Sequence, residues 1–169
     1  MAEQVIVVDE NDKEVAVSEK LKAHEAGLLH RAFSVFVFNS KKELLLQKRA
    51  DSKYHSAGLW SNTCCGHPRP EETTKAAAKR RLKEEMGFDC ELKEIFSFVY
   101  KTSFKNGLTE YEYNHIFIGE YNQNPVINPS EAGEYKWLSK SDLKKSLAEA
   151  PDTYTYWFKI CANKVLNLV

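Results

Sequence analysis

No run in this 169-residue chain approaches the roughly 18 consecutive apolar residues of a membrane-spanning helix, so no membrane partner is expected. The opening MAEQVIVVDENDKE has no basic start, and its apolar stretch Val5–Val8 is too short for a secretion signal. An excess of either charge is missing too. With 24 Lys and Arg against 24 Asp and Glu, the formal net charge is zero, which removes any global attraction to nucleic acid. Cysteine is sparse, with 4 thiols at Cys64, Cys65, Cys90 and Cys161. Their adjacent pair suits neither a disulfide framework nor a Cys-x-x-Cys zinc site, and a reducing cytoplasm is the expected location. No repeat, low-complexity tract or Gly/Ser linker breaks the chain, and no Gly-x-Gly-x-x-Gly or Walker segment offers a nucleotide cradle.

What remains reads as one domain over residues 1–169, with its core at about 30–150. Hydrophobic residues make up 43% and charged residues 28%, ordinary for a globular protein. A domain of this size buries about two-thirds of its unfolded surface and needs no disulfide or metal merely to fold. Gln4–Val8 predicts a short strand and Ser18–Ala26 a helical or irregular approach. The aromatic, β-branched run His30–Asn39 predicts a strand covered on both faces, turning at Ser40–Lys42 into a second strand, Glu43–Lys48. After a polar loop at Asp51–Ala57, the segment GLWSNTCCGH reads as extended. A helix is expected from Glu72 or Thr73, with Ala78, Leu82 and Met86 every four residues and Gly87 at its C-cap. Strands near Glu91–Tyr100 and Glu110–Gly119 flank a turn at Asn106-Gly107, and a loop at Asn122–Pro129 leads to a short strand, Glu134–Leu138. Ser139 and Ser141 are candidate N-caps for a helix ending before Pro151, and a last helix covers Thr153–Leu168. The result is a mixed α/β sandwich rather than a doubly wound sheet.

Three groups of residues carry chemistry. Glu84 and Glu85 stand at the end of the mid-chain helix, where the dipole favours cations, so a bound divalent ion would explain them; the alternative is a solvated face balanced by Lys79, Arg80, Arg81 and Lys83. Glu110 and Glu112, two apart in a strand, point to one face with Cα atoms roughly 7 Å apart. Such carboxylates repel unless one is protonated or a cation lies between them. Cys65 and His67 have the same spacing, and His24 and His30 bracket the entrance to the first central strand. Three imidazoles and two carboxylates would fill most of an octahedral shell around a first-row divalent metal. His55 and His115 fit no such constellation and read as structural or solvated.

The segment GHPRPEETTKAAAKRRLKEEMGF resembles the Nudix box, matching it at Gly66, Glu72, Arg80, Leu82, Glu84, Glu85, Gly87 and Phe88. One position departs: Arg81 stands where a glutamate important for hydrolysis is expected. The segments HEAGLLHRAFSVFVFN, SNTCCGHPRP and GLTEYEYNHIF are similar to the type 1 isopentenyl-diphosphate isomerases, a branch of that superfamily, over about Lys20 to Trp157. The resemblance implies the Nudix α/β/α sandwich and interconversion of isopentenyl and dimethylallyl diphosphates by alkene protonation and deprotonation. It implies Cys65, Glu112 and Tyr100 as catalytic residues, and His24, His30, His67, Glu110 and Glu112 as ligands of one divalent metal, Mn²⁺, Zn²⁺ or Mg²⁺. Glu85 matches the carboxylate associated with a second ion, a Mg²⁺ on the substrate diphosphate. Lys20, Arg49, Lys53 and Arg81 match diphosphate-binding positions, which gives Arg81 a positive reason to be basic. Trp157 matches a position at the hydrocarbon end of the substrate, and Trp60 is an additional candidate wall. A monomer is expected. The competing readings are a Nudix hydrolase of a nucleoside diphosphate derivative and a non-catalytic diphosphate-binding module.

Overall fold

The computed structural model describes residues Met1–Val169. Its strands, in chain order, are β1 (Gln4–Val8), β2 (Glu14–Glu19), β3 (His30–Phe38), β4 (Leu44–Arg49), β5 (Trp60–Ser61), β6 (Cys64–Gly66), β7 (Leu92–Ser103), β8 (Thr109–Glu120) and β9 (Ala132–Leu138). The helices are α1 (Lys20–Ala26), α2 (Thr74–Met86), α3 (Lys140–Glu149) and α4 (Tyr156–Leu168), with a 3-10 turn at Pro151–Thr153. No helix is long and apolar enough to cross a membrane.

Strand β3 is the axis of a mixed sheet. It runs parallel to β8 from His30↔Glu112 to Phe38↔Glu120, and antiparallel to β6 at Ser34↔Cys65. Because successive strand residues point to opposite faces, its apolar run serves two cores. Phe33, Val35 and Val37 pack with Ala78, Leu82 and Met86 of α2, whereas Phe36 and Phe38 pack with Phe158, Cys161 and Val165 of α4. The sheet is thus sandwiched between α2 and the α3–α4 pair, the expected α/β/α arrangement.

Several boundaries differ from the sequence reading. The run His30–Asn39 and its successor meet only at Phe38↔Leu44; beyond that β4 leaves β3 and pairs with β9 and β5. Strand β2 is absent from the sequence reading; it is exposed over Glu14–Val17 and its end, Ser18–Glu19, takes the start of the segment expected to be a helical or irregular approach. Helix α2 begins at Thr74, capped by the Thr73 hydroxyl, which accepts from the Ala76 N–H, and Glu72 instead receives the Arg80 guanidinium. At its other end Gly87 holds φ 76° and its N–H donates to Lys83 O. A Cβ there would lie 2.4 Å from Val126 O, so the glycine is required twice over. The last helix starts at Tyr156 rather than Thr153, because Pro151–Thr153 forms the 3-10 turn and Tyr154 bridges to Trp60. Ser139 does cap α3, accepting from the Asp142 N–H.

Candidate active site

The parallel register between β3 and β8 sets His30 beside Glu112, and the antiparallel register of β7 sets Tyr100 beside Glu112 from the other side. Period-two alternation then carries Glu110, Glu112 and Asn114 onto the same buried face. In β6 the same alternation splits the cysteines: Cys64 is buried in the core beneath α2, while Cys65 faces a cleft that His67 also lines. Helix α1 delivers Lys20 and His24 one turn apart to this cleft region, and α2 delivers Arg81 and Glu85. The remaining wall includes Arg49, Lys53, Tyr54, His55, Tyr100 and Trp157.

Three imidazoles meet there without protein partners for one nitrogen each. His24 Nδ1 lies 2.7 Å from Lys20 O and His30 Nδ1 lies 2.8 Å from Leu28 O, which leaves both Nε2 atoms buried and unpaired. His67 Nε2 lies 3.2 Å from Glu112 Oε1, while its buried Nδ1 has no partner. One ligand atom each from His24, His30, His67 and Glu112 lies within 4.8 Å of the others, and a second group joins His24 to His55 and Glu110. Burial and the neighbouring His67 push the His30 imidazole down to about 4. Burial and the charges of Lys20 and His24 also hold His67 well below the ordinary range. Both rings are therefore neutral near pH 7, the state a divalent ion requires of its histidine ligands. Buried imidazole nitrogens without protein partners, clustered with a carboxylate, fit a metal ion.

Tyr100 presses the same point. Its hydroxyl lies 2.9 Å from Glu110 Oε2 and 2.9 Å from Glu112 Oε2, yet a phenol has one proton to donate. Two carboxylates so close need a further proton or a cation. Burial and those two acids raise the Tyr100 hydroxyl well above its ordinary value, so it stays protonated.

Cys65 is held differently. Its thiol donates to Asn62 Oδ1 at 3.2 Å and accepts from Trp157 Nε1 at 3.2 Å. Asn62 cannot present its amide nitrogen instead, because Nδ2 already donates to Val35 O and Cys64 O. Burial and the charge of Glu85 push the Cys65 thiol up to about 12, so it rests neutral.

The basic rim is largely engaged with acids. Lys20 pairs with Glu3 at 3.0 Å, Lys53 pairs with Glu131, and Arg81 reaches Glu85 at 2.5 Å and Glu131 at 3.2 Å. Burial works against the Arg81 charge, but Glu85 and Glu131 outweigh it and hold the guanidinium ionised. Arg49 has no carboxylate partner: it donates to His55 O, stands 5.3 Å over the Trp157 ring and keeps a buried, unpaired Nε–H. A buried donor of fixed charge facing a cleft is ready for an anion.

Thus every residue expected in catalysis, in the metal shell or at the diphosphate lines or adjoins one cleft, whereas Trp60 and Glu84 do not. Trp60 lies outside the cleft wall, with Lys136 Nζ 4.0 Å over its ring. Glu84 remains on the outer face of α2, pairing with Arg80 and Arg81, while Glu85, seven residues beyond Ala78, turns inward. His115 lies outside the cluster, against Asp12 and Glu94. Two residues were missed. His55, expected to fit no constellation, is buried rather than solvated and joins His24 and Glu110, 3.1 Å from Glu110 Oε1. Glu131 gathers Lys53 and Arg81. Both come from loops without periodicity, and no local signal distinguishes them.

The NUDIX domain family model matches residues 28–158. An isopentenyl-diphosphate Delta-isomerase 2 of Aromatoleum aromaticum is 52% identical over 167 residues, covering 99% of this chain and 88% of its own length. A protein of the same name from Photorhabdus laumondii is also 52% identical, covering 99% of this chain and 92% of its own. Among solved structures, DR0079 from Deinococcus radiodurans has a TM-score of 0.72 at 20% identity, covering 88% of this chain and 90% of that one. A MutT protein from Methanosarcina mazei has a TM-score of 0.64 at 22% identity, covering 78% and 88%. At those identities the structures speak for the fold alone.

Proposed function

This chain belongs to the Nudix family, among its isopentenyl-diphosphate Delta-isomerases, and from that premise we propose that it interconverts isopentenyl and dimethylallyl diphosphates for isoprenoid biosynthesis. The observation that carries the reading is the convergence of a neutral thiol, a Tyr100-linked carboxylate pair and an uncommitted arginine on one cleft.

Moving the double bond requires one proton to reach the terminal alkene carbon and another to leave the CH₂ that lies between the resulting tertiary cation and the diphosphate-linked CH₂. Cys65 and Glu112 are the proton-transferring pair, and Tyr100, bonded to Glu112, moves the proton between Glu112 and Glu110. Trp157 and Tyr100 present aromatic surface, which steadies a nearby cation by about 0.5–2 kcal/mol per contact. Walls this buried also exclude the water that would trap the cation. Arg49 offers its unpaired donor to the diphosphate directly, while Lys53, Arg81 and Lys20 exchange internal carboxylate partners for substrate oxygens. His24, His30, His67, Glu110 and Glu112 would hold a divalent ion, Mn²⁺, Zn²⁺ or Mg²⁺, and Glu85 would face a Mg²⁺ carried with the diphosphate. Such ions supply charge neutralisation and fix the carboxylates. The protein acts as a monomer of one domain in the cytoplasm, where Cys65 stays reduced.

The test is incubation with isopentenyl diphosphate and Mg²⁺ in deuterated water. Dimethylallyl diphosphate carrying deuterium in a methyl group, with the diphosphate intact, is expected, and Glu112→Gln should lose nearly all of it. Phosphate release without carbon-bound deuterium would point to a hydrolase, and binding with neither to a silent module.

A further inference from the structure

His55 stands at no position that the family resemblance assigns, yet it is buried beside Glu110. Its ring stacks on Phe104 at 4.7 Å with planes 13° apart, and meets the edge of Tyr54 at 4.7 Å. The β7–β8 turn pins this loop, because Asn106 Nδ2 donates to Tyr54 O at 3.1 Å. The hairpin that carries Glu110 therefore also seats the histidine beside it. His55 Nδ1 faces the Ser56 hydroxyl at 3.3 Å, while Nε2 lies 3.1 Å from Glu110 Oε1. A proton on Nε2 would point at that carboxylate, with Nδ1 left to accept from the Ser56 hydroxyl.

We propose that His55 is a positioning residue of the metal centre, holding Glu110 through an Nε2–H bond so that its carboxylate is aimed before the ion arrives. The inference rests on the reading of Glu110 as a ligand. Glu110 Oε1 lies beside His55 Nε2, and Oε2 shares the Tyr100 hydroxyl with Glu112, so both oxygens have neighbours while each keeps a lone pair for a cation. Glu110 is aimed at His24: ligand atoms of His24, His55 and Glu110 lie within 4.8 Å of one another, and the His24 Nε2 is buried and unpaired. Partners behind a ligand tune metal affinity by orienting it, typically by about 10- to 100-fold.

Zn²⁺ affinity of the full-length protein, measured by competition with a chromophoric chelator, reads this out without turnover. His55→Phe keeps an aromatic ring against Phe104 and removes the N–H; it should weaken Zn²⁺ binding about 10- to 100-fold. His55→Gln restores an N–H donor and should recover most of that loss, with circular dichroism of the metal-free variants confirming that both fold. Added to Glu110→Gln, His55→Phe should cause no further loss, since it acts through that carboxylate. Undiminished affinity in His55→Phe beside a weakened Glu110→Gln overturns the inference alone. A further full loss in the double variant also overturns it, because His55 would then act independently of Glu110. Undiminished affinity in Glu110→Gln removes Glu110 from the metal centre and this role of His55 with it.

Discussion

The charge state of Cys65 offers a quantitative handle on the site. Burial and Glu85 raise its thiol from the ordinary 9.0 to about 12. Three pH units cut the thiolate fraction near neutrality about a thousandfold, ~4 kcal/mol. Thiolate nucleophilicity rises with basicity, with a Brønsted slope of about 0.4–0.5, so three units return about 15- to 30-fold. Attack on a small disulfide reagent should therefore be about 30- to 60-fold slower than that of a free thiol of ordinary acidity, before any loss of access. Restricted access lowers the rate at every pH but leaves the shape of the profile unchanged. The decisive assay is the rate at Cys65 of the metal-free protein, resolved by peptide mapping, from about pH 7 to 10. It should climb tenfold per pH unit without levelling. A plateau beginning at pH 8–9 would mean that the thiolate forms there, and would refute the argument that desolvation keeps the thiol neutral.

The neighbouring cysteines should separate cleanly in turnover assays. Cys65→Ala should lose about 10²–10⁴-fold in kcat, whereas Cys64→Ala, fully buried beneath α2, should keep kcat and lose roughly 1 kcal/mol in urea unfolding. His30, ordinarily near 6.5, is held at about 4 in the fold. The unfolded chain therefore binds its proton first, so metal-free protein should lose roughly 3 kcal/mol from this group as pH falls from 6.5 through 4. Denaturant melts should show a shallower acid slope in His30→Gln, and equal slopes would contradict the burial argument. Gly87→Ala, at φ 76° with Val126 O 2.4 Å from the new Cβ, should cost roughly 1–3 kcal/mol, read as a lower urea midpoint at constant m.

The sequence by itself determined whatever depends on short-range periodicity. A period of two separates Cys64 from Cys65 and unites Glu110 with Glu112, and the structure keeps both relations because a strand has no other way to orient successive side chains. A helical period turns Glu85 inward with Ala78 and Leu82, and the Thr73 and Gly87 signals bound α2 within a residue or two. The resemblance brought the remaining site residues to light by position rather than by physics. Only the tertiary structure decided the parallel β3–β8 register that sets His30 against Glu112, and the parting of β4 from β3 after one residue pair. It also decided the roles of two loop residues. His55 and Glu131 lie in segments with no repeating pattern, and their partners Glu110, Lys53 and Arg81 come from distant parts of the chain. Local sequence reports which face a residue takes within its own element; which element lies opposite is set by burying both faces of the sheet at once.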